Sequence, residues 1–248
     1  MLFSLQFCRS DNDTFPFLSF FIAPDFFDYF LAMRKLLETD NTLYCISAWN
    51  DNGKGNCVDP KAIDLLYRSD FFPGLGWMMT RKLWNEIGQR WPKGFWDDWM
   101  RAPEQRKGRA CIRPEISRTK TFGRIGVSQG QFYDQYLKFI KLNDSPYPFQ
   151  DYDMSYLTKE KYDKDFLEKV YAMREVSSPQ ATEEGTEDVR VTYRNKYEFE
   201  DMARRYGIMK DLKAGVPRTA YKGVVTFYRN GHHIYIAPPK SWEGYKEN

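Results

Sequence analysis

LYCISA, residues 43–48, is a short apolar run rich in residues that favour β-structure. The polar turn WNDNG, residues 49–53, follows it at once, and its Asn and Gly residues suit a positive φ. Open α/β folds bind ligands where a buried strand runs into such a loop. The run therefore predicts a buried strand of an α/β fold with a ligand site close to its end.

The segments on either side of this strand predict further α/β elements. Pro24–Glu38 is predicted to be an amphipathic helix because its apolar residues recur at helical spacing, and Asp25 lies in the first turn, where a negative charge suits the helix dipole. Thr80 predicts the N-cap of a second helix, which Pro92 ends. Cys111–Ile116 predicts another strand.

The C-terminal part predicts a compact mixture of helices and strands. Lys159–Met173 has helical apolar spacing, and Val189–Tyr193 alternates like a strand. A further helix is predicted over Glu198–Tyr206, closed by Gly207. Two alternating runs flank Asn230-Gly231, which is the strongest short hairpin signal in the chain. We also predict a helix over Phe132–Leu142.

These elements predict four regions along the chain. Residues 22–136 are predicted to form the main α/β part, after an N-terminal segment of residues 1–21. Residues 137–159, which carry two prolines among polar residues, are predicted to be a linker. Residues 160–248 are predicted to form a small α+β domain with a C-terminal hairpin.

Composition makes some classes of function less favoured than others. The net charge of +3 is small and the basic residues are scattered, so the sequence does not favour nucleic-acid binding. No apolar run reaches the length that spans a bilayer. Aromatic residues make up 17% of the chain, and ring faces are common in carbohydrate sites, which is a weak indication of a sugar ligand.

The cysteines and histidines do not predict a metal site. Cys8, Cys45, Cys57 and Cys111 fit no zinc-ligand spacing. The adjacent His232-His233 pair begins a predicted strand, where neighbouring side chains point to opposite faces, so we interpret both as surface or packing residues. Sequence alone leaves the redox state of all four cysteines open.

The motif FWDDW, residues 95–99, carries the most chemistry in the chain. One of its two carboxylates can serve as a general base, and the surrounding rings are expected to exclude water and raise its basicity. The alternative is structural: Asp97 and Asp98 cap a helix and form a salt bridge with Arg101 or Arg106. Residue types alone leave both interpretations open.

Two glycine-containing segments flank this motif. FFPGLGW, residues 71–77, has glycines on both sides of Leu75, which allow either a tight turn or a close approach to a ligand. Residues 121–130 combine three glycines with Arg124 and Ser128, so that their N–H groups could cradle a phosphate. Neither segment by itself is specific evidence of a ligand site.

Longer stretches carry a resemblance to a known family. LYCISAWNDNG (43–53), YRSDFFPGLGW (67–77), WPKGFWDDWMR (91–101), the run PEQRKGRACIRPEISRTKTFGRIGVSQGQF (103–132) and GVPRTAYKGVVTF (215–227) resemble the N-acetylglucosaminyltransferase I family. The resemblance runs from about Ile22 to near the C-terminus, and residues 1–21 are a divergent N-terminal segment that matches nothing in the family. It implies the C-terminal part of a GT-A-type nucleotide-diphospho-sugar transferase fold.

The resemblance also implies a reaction and a location. Members transfer N-acetylglucosamine (GlcNAc) from UDP-GlcNAc, with inversion and with Mn²⁺, to the 2-hydroxyl of the α1,3-arm mannose of a high-mannose N-glycan. They act on the lumenal side of the Golgi membrane. We therefore expect a UDP-GlcNAc donor and a glycoprotein glycan acceptor for this chain.

Individual residues match the motifs of the family. Asp97 matches the catalytic base and Asp98 a supporting carboxylate. The resemblance implies five contacts to the donor. Leu75 matches the residue that contacts the GlcNAc, and Phe95 and Trp96 match residues of the sugar pocket. Val127 and Ser128 match the loop over the diphosphate. Cys45 and Cys111 match a family disulfide, which would contribute about 4 kcal/mol by restricting the unfolded chain.

The N-terminal region departs from the family pattern. The acidic triplet that binds the metal should lie at residues 17–19, where this chain has Phe, Leu and Ser, so no metal ligand is assigned. Asp11 and Asp13 have the spacing of a metal-binding pair in a different context and are not assigned either. The sequence is thus expected to be an N-terminally truncated form without the nucleotide-binding half or an anchor. The alternative function is an inactive glycan-binding or partner-binding form.

Overall fold

The computed structural model describes residues 2–4, by their backbone alone, and residues 20–122, 130, 132–177 and 187–245. These ranges form a mixed α/β fold. The helices are α1 (Phe26–Thr39), α2 (Arg81–Ile87), α3 (Trp96–Arg101), α4 (Pro103–Arg106), α5 (Lys159–Ala172) and α6 (Lys196–Tyr206). The strands are β1 (Leu2–Ser4), β2 (Phe20–Ile22), β3 (Leu43–Ser47), β4 (Leu66–Ser69), β5 (Trp77–Met79), β6 (Ala110–Pro114), β7 (Thr119–Thr121), β8 (Arg174–Val176), β9 (Val189–Thr192), β10 (Leu212–Lys213), β11 (Val216–Pro217), β12 (Val225–Arg229) and β13 (His232–Ala237).

Strand β3 lies at the centre of the main sheet, whose order is β1-β5-β3-β6-β4. All of its side chains are buried, which confirms the buried strand predicted from LYCISA. It pairs parallel with β6 and antiparallel with β5, so the sheet is mixed. The polar turn after β3 is buried as well, and Asn50 donates its side-chain amide to the Glu115 carbonyl at 2.7 Å.

Helix α1 covers this sheet through the apolar stripe that the sequence predicts. Tyr29, Phe30 and Met33 are fully buried, and the Tyr29 hydroxyl donates to the carbonyl of Ser47 at 2.8 Å. Asp25 plays a different part from the predicted one. Its carboxylate is buried against Arg118, whose Nη2 lies 3.0 Å from Oδ2. An ion pair therefore ties the start of α1 to the chain between β6 and β7.

The segment predicted as a linker packs against the main core. It contains short 3-10 helices, and the side chains of Ile140, Phe149 and Leu157 are fully buried. The predicted helix over Phe132–Leu142 is wrong: the described part has only a 3-10 turn at Leu137–Phe139. The chain leaves helical geometry there because Ile140 takes φ −59° and ψ 128° and forms a β-bridge with Lys54.

The C-terminal part is built on a second sheet of order β12-β13-β9-β8. Strands β12 and β13 pair antiparallel, and the two residues between them, Asn230 and Gly231, both have positive φ, as a type I′ turn requires. Asn195 caps α6 by accepting from the Glu198 N–H at 3.0 Å, and Gly207 ends it at φ 69°. One hydrophobic cluster joins α1 and β3 to α5 and β13, so the first part and the C-terminal part share a core.

Candidate active site

An aromatic cluster lies against β3 and β6 and includes residues of the FFPGLGW and FWDDW motifs. A disulfide joins Cys45 of β3 to Cys111 of β6, with their Cα atoms 4.6 Å apart, and both residues belong to this cluster. The bridge shares this cluster with Trp96 of the FWDDW motif. The rings of the cluster belong to Tyr44, Phe72, Trp77 and Trp96, with Trp84, Trp91 and Trp99 packed at its edge.

The glycine-containing turn before β5 is anchored to the end of β3. Ser47 Oγ donates to the Pro73 carbonyl at 2.9 Å, and the N–H of Ala48 donates to the Gly76 carbonyl at 2.8 Å. From the other side, Thr119 Oγ1 donates to the Leu75 carbonyl at 2.7 Å. Contacts from β3 and β7 therefore fix the turn. They hold the half-buried Leu75 beside the end of β3, where the ligand site is expected.

Gly76 is the residue of this turn that a side chain would disrupt most. Its φ is 86°, and a Cβ would lie 2.8 Å from Cγ2 of Thr119. We expect Gly76→Ala to destabilise the protein by about 1–3 kcal/mol, because it adds backbone strain and a steric contact. Urea unfolding monitored by Trp fluorescence measures the effect. Gly55→Ala is the control, since Gly55 has a negative φ and open space around its Cα, and an equal loss in both variants would contradict the interpretation.

The FWDDW motif opens helix α3 beside this turn. Phe95 precedes the helix in left-handed geometry, at φ 50°, and its ring is 75% exposed. Trp96 points the other way, with its ring centroid 5.9 Å from that of Trp77 and 6.1 Å from that of Phe72. Phe95 therefore offers an exposed ring face, whereas Trp96 supports the motif from the core.

The two carboxylates lie on the outer side of α3, and the expected exclusion of water by the rings is wrong for them. The Asp97 and Asp98 side chains are 39% and 40% exposed. Helical geometry explains this, since Trp96 and Met100 occupy the buried face of the same turn. The aromatic residues of the motif thus position the carboxylates without enclosing them.

Arg101 holds both carboxylates from the next turn of the helix. Its Nη1 donates to Asp97 Oδ2 at 2.7 Å and to Asp98 Oδ1 at 2.9 Å. The guanidinium is itself buried, because Nε donates to the Phe72 carbonyl at 3.2 Å and Cζ stacks 4.7 Å from the centre of the Phe71 ring. A buried, fixed cation thus orients two exposed carboxylates.

The structural alternative for this motif is borne out in its salt bridge and wrong in its helix cap. The predicted bridge to Arg101 or Arg106 is made by Arg101, while Arg106 pairs with Asp70 at 3.8 Å. The helix cap is wrong because Phe95 occupies the N-cap position and Asp97 and Asp98 lie in the first turn, where the helix dipole favours negative charge. A salt-bridged carboxylate in this position remains able to act as a base.

Asp98 has a second cationic partner that sequence reasoning missed. Lys213 Nζ lies 2.9 Å from Asp98 Oδ2. Partial burial would raise the pKa of Asp98, but the hydrogen bonds from Lys213 and Arg101 outweigh it and hold this pKa below its ordinary value. The expected rise in basicity is therefore wrong for Asp98. No local signal could have found Lys213, because 115 positions separate the two residues.

The remaining expected features are the diphosphate contacts, the metal ligands and the histidine pair. Val127 and Ser128 lie outside the described residues, as do Asp11 and Asp13. In the described part of the chain, no group of three His, Cys, Asp or Glu side chains could hold a metal ion. His232 is buried and the His233 Nε2 lies 3.4 Å from Glu115 Oε1, so both histidines are packing residues rather than surface ones.

Comparison with known proteins identifies the family. A model of the GNT-I family matches residues 19–248. An alpha-1,3-mannosyl-glycoprotein 2-beta-N-acetylglucosaminyltransferase from Arabidopsis thaliana is 47% identical over 225 residues, which cover 89% of this chain and 50% of that relative. The chain thus spans about half the length of the curated relative that it matches. With a family match over nearly its whole length and all five motifs inside that match, the chain belongs to the GNT-I family.

Proposed function

We propose that this protein is an inverting N-acetylglucosaminyltransferase that moves GlcNAc from UDP-GlcNAc to the 2-hydroxyl of the α1,3-arm mannose of a high-mannose N-glycan. The observation that supports it most is the position of Asp97. This carboxylate is exposed at the start of α3, oriented by the buried Arg101, and lies beside the turn that holds Leu75. Membership of the GNT-I family favours this function over an inactive glycan-binding or partner-binding form.

In the proposed reaction Asp97 is the general base. Its carboxylate takes the proton of the mannose 2-hydroxyl as that oxygen forms a bond to the anomeric carbon of GlcNAc. The bond between this carbon and the diphosphate breaks, and UDP leaves with the electron pair from the opposite face, which inverts the configuration. Leu75 and Phe95 form the GlcNAc side of the donor site, with Trp96 supporting them from the aromatic cluster, and Val127 and Ser128 contact the diphosphate.

Mn²⁺ is the cofactor that the family implies, and the described residues do not supply a site for it. The proposed reaction therefore assigns roles to side chains of this chain and none to a bound metal. When present, a divalent cation in such transferases neutralises the leaving diphosphate.

The fold and the location complete the proposal. We assign residues 22–136 to the C-terminal part of a GT-A-type catalytic domain and residues 160–248 to a small α+β domain, with 137–159 between them. We place the protein in the lumen of the Golgi, and the Cys45–Cys111 disulfide suits that oxidising compartment. Among the helices that the structure describes, none combines the length and apolarity that crossing a bilayer needs.

The decisive test is transfer by the purified protein. The protein is incubated with UDP-GlcNAc, Mn²⁺ and a high-mannose N-glycan, and the product is analysed by mass spectrometry and NMR. We expect a mass gain of a single N-acetylhexosamine and a β-linkage to the 2-position of the α1,3-arm mannose. An absence of product, in an assay where the Arabidopsis relative gives it, would overturn the proposal. Product on another sugar would overturn the acceptor assignment alone.

A further inference from the structure

The C-terminal part of the chain reaches the candidate active site through one short turn. Strands β10 and β11 form a two-stranded ribbon in which Lys213 pairs with Val216. Ala214 and Gly215, between them, have φ values of 47° and 73°, so the turn is tight. At the tip of this ribbon the Lys213 side chain meets Asp98 Oδ2 at 2.9 Å.

The ribbon is braced on the site by a second buried cation. Arg218 follows β11, and its Nη1 donates to Asp51 Oδ1 and its Nε to Asp211 Oδ2, both at 2.6 Å. Its Cζ also lies 5.1 Å from the centre of the Phe71 ring, and Arg101 stacks on that same ring at 4.7 Å. These contacts fix the ribbon, and Lys213 is therefore presented from a rigid support.

The geometry makes Asp98 a link between Lys213 and the proposed base. Arg101 Nη1 is shared by the two carboxylates, at 2.7 Å from Asp97 and 2.9 Å from Asp98. Lys213 holds the other oxygen of Asp98. Without Lys213, Asp98 is free to turn toward Arg101 and to compete with Asp97 for the guanidinium. In the described part of the chain, the charged groups that contact Asp98 are Arg101 on its own helix and Lys213 on β10.

We propose that Lys213 is a positioning residue for the transfer reaction, acting through Asp98 and Arg101 to hold the Asp97 carboxylate in place. This role rests on the proposed function. The proposal makes the C-terminal ribbon part of the active site, although Lys213 acts through Asp98 and does not touch the reacting atoms. The interaction is one between partly exposed groups, so its importance lies in orientation rather than in stability.

The first experiment compares Lys213→Met with the wild-type protein in the transfer assay. We expect kcat to fall about 10-fold, which is the scale of one coupled contact beside a reacting group, with the KM for UDP-GlcNAc unchanged. Lys213→Arg should restore most of the rate because it returns a cation to Asp98. Lys210→Met is the matched control, since Lys210 is exposed three positions earlier, and it should behave like the wild type.

The second experiment tests the route through Asp98. In an Asp98→Asn background, Lys213→Met should change kcat little, because the link is already broken. A further full 10-fold loss in that background would overturn the route. An unchanged kcat in the single variant, or a proportional loss of thermal stability that explains the lower rate, would overturn the positioning role.

A third measurement does not depend on transfer. Carbon NMR of labelled aspartate follows the titration of the Asp98 carboxyl, and Lys213→Met should raise its pKa whereas Lys210→Met should not. An unshifted titration would overturn the Lys213–Asp98 contact whatever the activity. If the titration shifts but the wild-type protein transfers no GlcNAc, the proposed function is overturned and the positioning role with it, while the contact itself stands.

Discussion

Asp97→Asn should lower kcat/KM for GlcNAc transfer by about 10²–10⁴-fold, the contribution of a general base. The amide has nearly the same shape as the carboxylate, and its oxygen can still accept the Arg101 Nη1–H bond that Asp97 Oδ2 accepts at 2.7 Å. It cannot take a proton from the acceptor hydroxyl. The loss should therefore be in the chemical step, with the fold and the donor affinity retained.

Steady-state kinetics with the glycan acceptor measure this effect, and titration calorimetry with UDP-GlcNAc checks donor binding. Asp98→Asn is the matched control, because Asp98 lies at the next position with the same exposure and the same arginine partner. We expect it to lose far less activity than Asp97→Asn. A larger loss for Asp98→Asn would move the base assignment to Asp98, and equal retention in both variants would contradict a carboxylate base in this motif.

Arg118→Leu should destabilise the fold by about 3–5 kcal/mol, because it leaves the buried Asp25 carboxylate without its charged partner and with a neutral donor, the Asn143 amide, at 3.1 Å. The Arg118 and Asp25 side chains are 0% and 1% exposed, and their closest atoms are 3.0 Å apart. Arg118 also donates to the Ile116 carbonyl at 2.8 Å and stacks 5.1 Å from the Phe149 ring. The substitution therefore removes a contact that joins α1, the chain after β6 and the Phe149 segment.

Urea unfolding gives the free energy of unfolding for this variant, and an exposed pair provides the control. Arg34 and Glu38 on α1 form an ion pair at 3.2 Å with side chains 56% and 46% exposed. Arg34→Leu should therefore cost no more than about 1 kcal/mol. The double variant Arg118→Leu/Asp25→Leu should recover part of the stability, since it removes the unpaired charge. Equal losses for Arg34→Leu and Arg118→Leu would contradict the role given to burial.

Much of the local structure could be predicted because its causes are local. The stripe of α1, the Thr80 cap of α2 and the closure of α6 at Gly207 follow from periodicity and capping chemistry. The helix predicted over Phe132–Leu142 failed for a tertiary reason, because a bridge from Ile140 to the distant Lys54 takes the chain out of helical geometry. The division into domains stays a prediction, and so do the roles of the site residues, which are Leu75, Phe95, Trp96, Asp97, Val127 and Ser128.

The sequence by itself determined the α/β class and the buried central strand, because apolar patterning is a property of neighbouring residues. Its motifs and its resemblance to a family also indicate which residues to propose for the chemistry, and those roles stay predictions. Only the tertiary structure decided the surroundings of those residues. It left Asp97 and Asp98 partly exposed. It also paired Lys213 with Asp98 and Arg118 with Asp25, residues that lie 115 and 93 positions apart in the chain. Such contacts depend on how whole elements pack, and no spacing along the chain encodes them.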